Sequence, residues 1–479
     1  MEKKDLFKIN NYLWEIPKGF RSDMRVPARI YASEKMIEEI FRDRSISQLI
    51  NVASLPGIVN YSLAMPDVHE GYGFPIGGVA ATKVKEGVIS PGGVGYDINC
   101  GMRLLLSSCS AFEIKPYLDK LATEIARAVP SGLGKGHKRS VGRVELDEIL
   151  EGGAKKIIES GYGEKEDFEY CEANGCLETA DAKAVSSRAK NRGGDQVGTL
   201  GSGNHFLEIQ KVAEIFNEEA AKSMGLFKNQ IAVMVHTGSR GLGHQVATDY
   251  IQEMIRKMPK YNIILPDREL ACVPFLSEEG QFYFQAMCAA ANFAWANRQM
   301  ISYYIRQAWQ NVLGKKDKLT ILFDVAHNIA KVEEYEINGQ KETLIIHRKG
   351  ATRAFPAHHQ EIPEKYQAVG QPVLIPGSMG TASYILVGTE KNRESWHSTC
   401  HGAGRRMSRT AAVKGLSPQE IINYLKNKGI IVKCKSMKGL VEEAPEAYKN
   451  IDEVVEIVHQ SGLSLKVAKL IPLAVIKGE

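Results

Sequence analysis

The apolar positions of this chain fall in short runs that are separated by glycine-rich or charged stretches. The run Tyr12–Ile16 predicts a strand, and 33–50 predicts a helix that begins after Ser33, a residue type that often caps helices. Two further apolar runs, 77–84 and 102–106, predict strands on either side of a glycine-rich loop. Strand-like and helix-like patterns therefore alternate without a fixed period in the N-terminal part.

Helical patterns become longer in the middle of the chain. A helix is predicted near 115–129, and residues 141–195 are charged and helical in bias, with a lid or insertion expected around Cys171–Cys176. Residues 278–312 form a long helical stretch rich in aromatic side chains and methionine. Because such side chains usually form a hydrophobic core, we assign this helix to the protein interior.

The tail from residue 417 is helical, and it ends in an apolar, strand-like segment before Lys477. Irregular alternation of strands and helices favours an α/β fold of the mixed α+β kind, with mixed β-sheets around a cleft, over a regular doubly wound sheet. No repeat of fixed period and no low-complexity linker divides the chain. We therefore predict one large domain over 1–479, although the length alone would suggest about three.

Three predicted strands have a histidine at one end. His205 opens one such strand, His236 ends the apolar run from Ile231, and His327 follows the apolar run 319–326. A single histidine in this position is more often a hydrogen-bonded structural residue than a ligand. Three in equivalent contexts favour a metal site, because active-site residues are often placed where strands end and loops begin.

The glycine-rich loop Pro91–Gly101 adds two further ligand types, Asp97 and Cys100. Alone, this loop is equally typical of a surface turn with a buried cysteine. Together with the three histidines it offers five ligands, more than one tetrahedral ion needs. Since a thiolate can bridge two cations, a two-metal site with Cys100 in the middle is plausible, and such pairs suit phosphoryl transfer.

His401 stands apart from the other histidines because it precedes Gly402-Ala-Gly404. The main-chain N–H groups of such a loop can hold an anion, and a neutral imidazole can attack phosphorus to form a phosphoramidate. The chain has no P-loop motif, no strict Gly-x-Gly-x-x-Gly and no Asp-Gly dipeptide. The Lys-x-Asp-Gly nucleophile of ordinary nucleotidyl-transferring ligases is therefore excluded.

Composition narrows the class of protein further. A net charge of +5 permits a polyanionic partner without requiring one. Eight scattered cysteines without a Cys-x-x-Cys pair do not form a disulfide scaffold, and they fit a reducing cytoplasm. Neither a signal peptide nor a membrane-spanning apolar stretch is visible, so no membrane association and a cytoplasmic location are expected.

The motifs together closely resemble one family, the RtcB-type RNA-splicing ligases, and they occur along most of the chain in that family's order. They are Asp97-Ile-Asn-Cys-Gly101, Gly201-Ser-Gly-Asn-His-Phe-Leu-Glu208, Val235-His-Thr-Gly-Ser-Arg-Gly241, Ala326-His-Asn328, Pro376-Gly-Ser-Met-Gly380 and His401-Gly-Ala-Gly-Arg-Arg406. The resemblance implies an enzyme that uses GTP as co-substrate and two Mn²⁺ ions. It would join RNA ending in a 2′,3′-cyclic phosphate or 3′-phosphate to RNA with a 5′-hydroxyl, in tRNA splicing or RNA repair.

By matched position, the resemblance also implies the site residues. Asp97, Cys100 and His205 would hold one metal ion, and Cys100, His236 and His327 the other. His401 would be the catalytic nucleophile that takes GMP from GTP. The residues expected to bind the guanylate are Asn204, His205, Phe206, Leu207, Glu208, His327, Asn328, Pro376, Gly377, Ser378, Met379, Ser383, His401, Gly402, Ala403, Gly404 and Lys477.

The expected partners are GTP and RNA, either tRNA halves or broken RNA, together with an archease-type activator known in the family. The basic residues considered for RNA contact are Lys135, Lys138, Arg139, Arg188, Lys190, Arg192, Arg405, Arg406, Arg409 and the run 426–438.

Two alternatives remain open from the residues alone. A dinuclear metallophosphoesterase acting on RNA ends would use the metal ligands but not His401, and a non-catalytic RNA-binding protein would use only the basic segments. Donor softness alone would favour zinc over manganese, so only the resemblance selects Mn²⁺.

Overall fold

Two large β-sheets form the framework of the protein, which a computed structural model describes over residues 2–132, 136, 143–434 and 436–478. In chain order, the strands are β1 Phe7–Lys8, β2 Leu13–Ile16, β3 Ala28–Tyr31, β4 Ile58–His69, β5 Ile76–Lys83, β6 Val88–Ile89, β7 Gly101–Ser110, β8 Phe206–Ile215, β9 Gln230–Thr237, β10 Val273–Pro274, β11 Thr320–Ala326, β12 Asn328–Ile337, β13 Gln340–Lys349, β14 Ala351–Arg353, β15 Pro372–Ile375, β16 Ser383–Gly388, β17 Ser398–Cys400, β18 Ile431–Cys434 and β19 Ser464–Lys477.

The helices of the described residues are spread along the chain, and the two longest lie in its third quarter. They are α1 Glu34–Ile40, α2 Ser45–Val52, α3 Ala111–Ile114, α4 Leu118–Ala128, α5 Arg143–Glu159, α6 Ser187–Gly193, α7 Glu218–Met224, α8 Arg240–Lys257, α9 Glu278–Leu313, α10 Arg409–Gly415, α11 Pro418–Asn427, α12 Met437–Glu442 and α13 Ile451–Gln460.

Both large sheets mix antiparallel and parallel pairs. The first has the order β1-β2-β3-β4-β5-β13-β12, in which β3 and β4 are parallel. The second has the order β11-β7-β9-β8-β19-β16-β15, with β18 parallel to β19. The C-terminal strand β19 thus pairs with β8 as well as with β16, which ties the chain end to the middle of the sheet. The predicted α/β fold with mixed sheets is confirmed.

The long helix α9 packs against α4, α5 and α8 and is buried over most of its length. Its alanines and aromatic residues form the core, as the sequence predicts. The same helix also buries Asn292, Asn297 and Arg298, all with essentially no exposed surface. Asn297 and Arg298 bond to loops beside the second sheet, whereas Asn292 accepts a hydrogen bond from Leu177 N, so the helix positions backbone as well as filling the interior.

Two sequence expectations are wrong in detail. The region 33–50 forms two helices, because Asp43 accepts hydrogen bonds from the Ser45 and Glu70 main-chain N–H groups at 2.8 and 3.0 Å and so fixes a turn between them. The segment around Cys171 is not a lid. Cys171 is buried, and its main chain forms an isolated parallel β-bridge with Asp324 on β11. The Glu172 carboxylate accepts a hydrogen bond from Ala326 N at 2.8 Å.

Candidate active site

Strand direction brings the predicted metal ligands to one edge of the second sheet. The neighbouring strands β11, β7, β9 and β8 are antiparallel, so the ends of β11 and β9 meet the starts of β7 and β8. The register pairs Ala326 with Gly101, Gly101 with Thr237, and His236 with Phe206. Cys100, His205, His236 and His327, each at or next to one of these strand ends, therefore converge although they are distant in sequence.

The first cluster of donor atoms comprises Cys100, His236 and His327, all buried. The Cys100 Sγ lies 3.2 Å from His236 Nε2, which lies 3.2 Å from His327 Nε2. Donors on one tetrahedral ion would be about 3.6 Å apart for sulfur and nitrogen and about 3.3 Å for two nitrogens, from ordinary zinc–ligand lengths. The spacing therefore fits a bound divalent cation.

Electrostatics also suit metal binding at this cluster. Burial lowers the pKa of His236 and of His327 well below the ordinary value, so both imidazoles are neutral and can donate a lone pair. The His236 Nδ1 lies 3.1 Å from the Asn204 carbonyl oxygen, which fixes that ring with Nε2 toward the cluster. A hydrogen bond of this kind orients a metal-ligating histidine.

The second cluster comprises Asp97, Cys100 and His205. The His205 Nε2 lies 2.8 Å from Asp97 Oδ2 and 3.4 Å from Cys100 Sγ. Burial would raise the pKa of Asp97, but the nearby His205 and hydrogen bonds to the carboxylate lower it to about 2. The carboxylate is therefore ionised, and Cys100 is the one residue that belongs to both clusters.

A buried ion-pair network holds the loop that carries these ligands. The Arg298 guanidinium donates to Asp324 at 2.8 Å, to the Asn99 main-chain and side-chain oxygens at 2.8 and 2.9 Å, and to Thr237 O at 2.9 Å. Asn99 has a φ of 51°, a left-handed conformation that needs such support. The network thus fixes the residue that precedes Cys100.

His401 lies in a loop after β17 and faces the edge of the second sheet where the predicted metal ligands converge. Its ring centroid is 5.0 Å from that of His327. Its Nδ1 lies 2.5 Å from Asp67 Oδ2, which also accepts hydrogen bonds from the main-chain N–H groups of His401 and Gly402 at 3.0 and 3.2 Å. Because a carboxylate only accepts, this contact favours the tautomer that carries its proton on Nδ1 and its lone pair on Nε2.

The carboxylate of Asp67 remains charged despite complete burial. Burial would raise its pKa, but the His401 imidazole and the loop N–H groups outweigh this effect and lower the pKa. The loop approaches the strand closely, because Gly404 has a φ of +74° and a side-chain Cβ there would lie 2.2 Å from the Asp67 carbonyl oxygen. Only glycine fits this contact.

A cavity of about 790 Å³ unites these groups. Among the predicted site residues, those that line it are Asp97, Cys100, Asn204, Phe206, Glu208, His236, His327, Asn328, Pro376, Gly377, Ser378, Met379, His401, Gly402, Ala403, Gly404 and Lys477. Three predicted guanylate residues do not line it, namely His205, Leu207 and Ser383. The Leu207 side chain packs into the core on the opposite face of β8, since successive strand residues alternate in direction.

A buried acid, Glu208, and a buried base, Lys477, line the cavity. Burial raises the pKa of Glu208 to about 8, and its carboxyl accepts a hydrogen bond from Gln210 Nε2 at 2.6 Å. Gln210 in turn donates to Ser383 Oγ at 3.1 Å, which places Ser383 behind Glu208. Lys477 Nζ donates to the Gly203 carbonyl at 2.9 Å, so the chain end contacts the loop that begins β8.

Sequence reasoning missed several residues beside His401. Asp67 and His69 belong to Met65-Pro-Asp-Val-His69 at the end of β4, and His69 and Tyr448 line the cavity. The only signal in the sequence was that Asp67 and His69 interrupt an apolar run. Nothing local could link Asp67 to a histidine 334 positions later.

The basic residues considered for RNA contact divide into three groups. Lys135, Lys138 and Arg139 lie outside the described residues, as does residue 435 of the basic run. Three others are engaged with acids: Lys190 with Asp147, and Arg405 and Arg409 with Glu443. Arg188, Arg192 and Arg406 are exposed, and of these Arg192 donates to Gln245 and Arg406 to the Glu446 carbonyl.

The arrangement can support phosphoryl or nucleotidyl transfer. Two adjacent clusters of residues that could hold metal ions, the His401 imidazole and a cleft with main-chain N–H groups surround one space. Paired cations neutralise the attacking and leaving oxygens in such reactions. Over the ranges that the structure describes, every helix is too short or too polar to cross a membrane.

Comparison with known proteins places the chain in one family. Residues 48–478 match the family model described as "tRNA-splicing ligase RtcB". A protein of that name from Thermococcus kodakarensis is 53% identical over 481 residues, covering 100% of both chains, and one from Archaeoglobus fulgidus is 52% identical over 99% of both. An "RNA-splicing ligase RtcB" from Mycobacterium bovis is 51% identical over 90% of this chain and 100% of its own. The chain therefore belongs to the RtcB family.

Proposed function

We propose that this protein is a GTP- and Mn²⁺-dependent RNA ligase that joins 2′,3′-cyclic phosphate or 3′-phosphate RNA ends to 5′-hydroxyl ends. The observation that carries the proposal is the position of His401, whose ring is 5.0 Å from that of the metal-ligand candidate His327 in one cavity. Its Nδ1 is bound by Asp67, which leaves Nε2 as the nucleophilic atom. The relatives' names describe the same activity class.

The donor set suits two divalent cations. Asp97, Cys100 and His205 would hold one and Cys100, His236 and His327 the other, with Cys100 shared. When bound, the two ions would neutralise the negative charge of the triphosphate and of the RNA phosphate. Manganese is proposed from the family, since these soft donors would also bind zinc.

His401 performs the covalent step. Its Nε2 attacks the α-phosphorus of GTP, the N–P bond forms, the bond to the bridging oxygen breaks, and pyrophosphate leaves. The imidazole becomes positively charged, and the buried Asp67 carboxylate beside Nδ1 stabilises that charge. The attack needs the tautomer whose lone pair is on Nε2, and the contact between Nδ1 and Asp67 favours that tautomer.

The transferred GMP then activates the RNA end. The RNA 3′-phosphate, formed beforehand from any cyclic phosphate, attacks the phosphorus of the His401-bound GMP, and the N–P bond breaks. The resulting anhydride has GMP as a good leaving group, so the 5′-hydroxyl of the second RNA attacks the 3′-phosphate and releases GMP. Opening a cyclic phosphate to the 3′-phosphate consumes one water, the attacking 5′-hydroxyl gives its proton to solvent, and no step needs a redox partner.

Glu208 is the proposed determinant for guanine. The guanine edge offers two N–H donors, N1–H and N2–H, which match the two oxygens of an ionised carboxylate. Glu208 is buried and lines the cavity, as do the Pro376–Met379 loop and Lys477. Adenine offers an acceptor at N1, so a carboxylate would reject it.

A neighbouring groove is proposed to take an RNA strand. It has a volume of about 690 Å³ and shares Arg406 and Tyr448 with the main cavity. Arg406 and Lys428 line it and are exposed, and Lys428 Nζ is held by the Gly380 carbonyl at 3.1 Å. Two cations along one groove can contact successive phosphates of a backbone.

Charge reversal tests the groove. Arg406→Glu and Lys428→Glu should weaken RNA binding and flatten its salt dependence by about one phosphate contact each. Lys222→Glu on α7, an exposed lysine outside both cavities, is the matched control. An unchanged salt slope in both groove variants would exclude this path for RNA, without affecting the proposal for GTP.

One experiment tests the ligase proposal against its alternative. The protein is incubated with α-labelled GTP and Mn²⁺, and acid-labile covalent label is measured, followed by sealing of 3′-phosphate and 5′-hydroxyl RNA. Covalent label and GTP-dependent sealing are expected. A metallophosphoesterase would instead release phosphate from RNA ends without GTP and would carry no label.

Three further features remain proposals. We propose that residues 1–479 form one catalytic domain, because β19 near the C-terminus pairs with β8 in the central sheet. The RNA would be tRNA halves or broken RNA, and an archease-type activator is proposed from the family. All eight cysteines are free thiols, which is consistent with the predicted cytoplasmic location.

A further inference from the structure

Lys449 connects the strand that carries Asp67 to the loop that carries His401. Its Nζ donates to the Pro66 carbonyl at 3.1 Å and to the Val68 carbonyl at 2.5 Å, the two residues on either side of Asp67. Its main-chain N–H donates to the Gly404 carbonyl at 2.9 Å. One residue therefore holds both partners of the Asp67–His401 pair.

The strand segment around Asp67 needs such support. The pairing of β4 with β5 is regular from Ser62 to Ala64 and resumes only at His69, with a register shift between Ala64 and His69. Carbonyl groups in this interval have no partner in the β4–β5 ladder, and a buried carbonyl requires a donor. The Lys449 ammonium supplies donors to two of them.

The charge of Lys449 also acts on Asp67. The residue is 8% exposed, and among the described residues no carboxylate lies within 4.0 Å of its Nζ. Burial lowers its pKa to about 8, and Asp67 is the largest opposing influence that favours the charged form. A buried lysine that is neither exposed nor directly ion-paired is costly, which argues for a specific role.

We propose that Lys449 is a positioning residue for guanylylation, fixing Asp67 and the 401–404 loop so that His401 Nε2 points into the cavity. The inference rests on the proposed function of His401. Over the part of the chain that the structure describes, the hydrogen bonds of Lys449 go to the two segments named above, and Lys449 lines the neighbouring groove rather than the main cavity. Its loss should therefore slow the covalent step more than it weakens nucleotide binding.

The test uses the full-length protein with Lys449→Met, which keeps length and removes charge and donors. The single-turnover rate of labelling by α-labelled GTP should fall on the order of 10- to 100-fold, as expected for a displaced nucleophile, with the KM for GTP changed by less than about twofold. Lys190→Met is the matched control, because Lys190 is equally buried and pairs with Asp147. It should label at the wild-type rate.

A double-mutant cycle distinguishes positioning through Asp67 from a general loss of structure. In an Asp67→Asn background, Lys449→Met should slow labelling by less than about threefold further, because the two residues act on one atom pair. Multiplicative effects of the two substitutions would overturn the proposal, as would wild-type labelling by a folded Lys449→Met protein. A rise in KM that accounts for the whole loss would also overturn it.

If Lys449→Met does not fold, Lys449→Gln keeps a side-chain N–H donor group and removes the charge. Its labelling rate should fall by at least about fivefold at unchanged KM, and a wild-type rate would overturn the proposal. Failure of the proposed function is recognised separately, because the wild-type protein would then carry no label at all.

Discussion

Replacing Cys100 with alanine should remove both metal ions, whereas replacing Asp97 should remove only one. The Cys100 Sγ lies 3.2 Å from His236 Nε2 and 3.4 Å from His205 Nε2, and it is the one donor common to both clusters. Asp97 belongs to only one of the two clusters, the one that also contains Cys100 and His205. The two substitutions therefore separate a shared ligand from an unshared one.

The magnitude follows from the number of donors lost. Even the loss of a hydrogen-bond partner behind a ligand weakens metal binding about 10- to 100-fold. We take about 100-fold as the minimum for losing a ligand, which corresponds to about 2.7 kcal/mol per ion. Cys100→Ala loses a ligand of each ion, so the product of the two affinities should fall by about 10⁴-fold or more.

The assay is calorimetric titration of Mn²⁺ into metal-free protein, combined with the rate of labelling by GTP. Wild type should bind two ions, Asp97→Ala one ion tightly, and Cys100→Ala neither at micromolar concentration, with labelling and ligation abolished in Cys100→Ala. Cys272→Ala is the matched control, because Cys272 is completely buried and its pKa is raised by burial alone, without a charged neighbour. A Cys100→Ala protein that binds two ions and labels at full rate would refute the shared-ligand geometry.

The remaining predictions concern the guanine site, the buried network and the metal. Since burial raises the pKa of Glu208 to about 8, its carboxyl is protonated below that pH, and GTP affinity should rise as pH increases toward 8. Glu208→Gln should weaken GTP binding about tenfold and abolish the pH dependence in calorimetry; a pH-independent wild type would contradict this. Arg298→Met should lower the free energy of unfolding by about 3–5 kcal/mol in denaturant titrations. The substitution leaves the charge of Asp324 less compensated and the carbonyls of Asn99 and Thr237 without this donor. A loss below about 1 kcal/mol would show the network to be dispensable. Added zinc should inhibit Mn²⁺-driven ligation, and ligation unaffected by excess zinc would exclude competition at these donors.

The sequence predicts where Cys100, His236 and His327 lie because the signal there is local. His236 and His327 each follow an apolar run, and Cys100 precedes one. The local pattern around each residue therefore predicts a strand end there. Antiparallel pairing of those strands then brings the ends together. The long helix α9 and the final strand β19 are predicted for the same reason, namely a long and regular apolar pattern.

Contacts between remote segments could not be predicted in this way. The Asp67–His401 pair and the Lys449 bridge join residues of the first sheet to a late loop, and no local pattern encodes that approach. The engagement of Arg405 and Arg409 with Glu443 was likewise invisible, because charge pairing depends on tertiary position. The hydrogen bond from Ser45 N to the Asp43 carboxylate ends the first helix of 33–50, and the apolar pattern of that region did not predict this break.

The residue that carries GMP is the most direct test of the account. After reaction of the full-length protein with GTP and Mn²⁺, the labelled peptide should be isolated at alkaline pH, where a phosphoramidate survives, and its modified residue identified by mass spectrometry. We predict GMP on His401, with no label in His401→Ala and full labelling in the matched control His397→Ala, whose ring lies against Tyr335 and Phe355. GMP on a lysine, or labelling that persists in His401→Ala, would contradict the account.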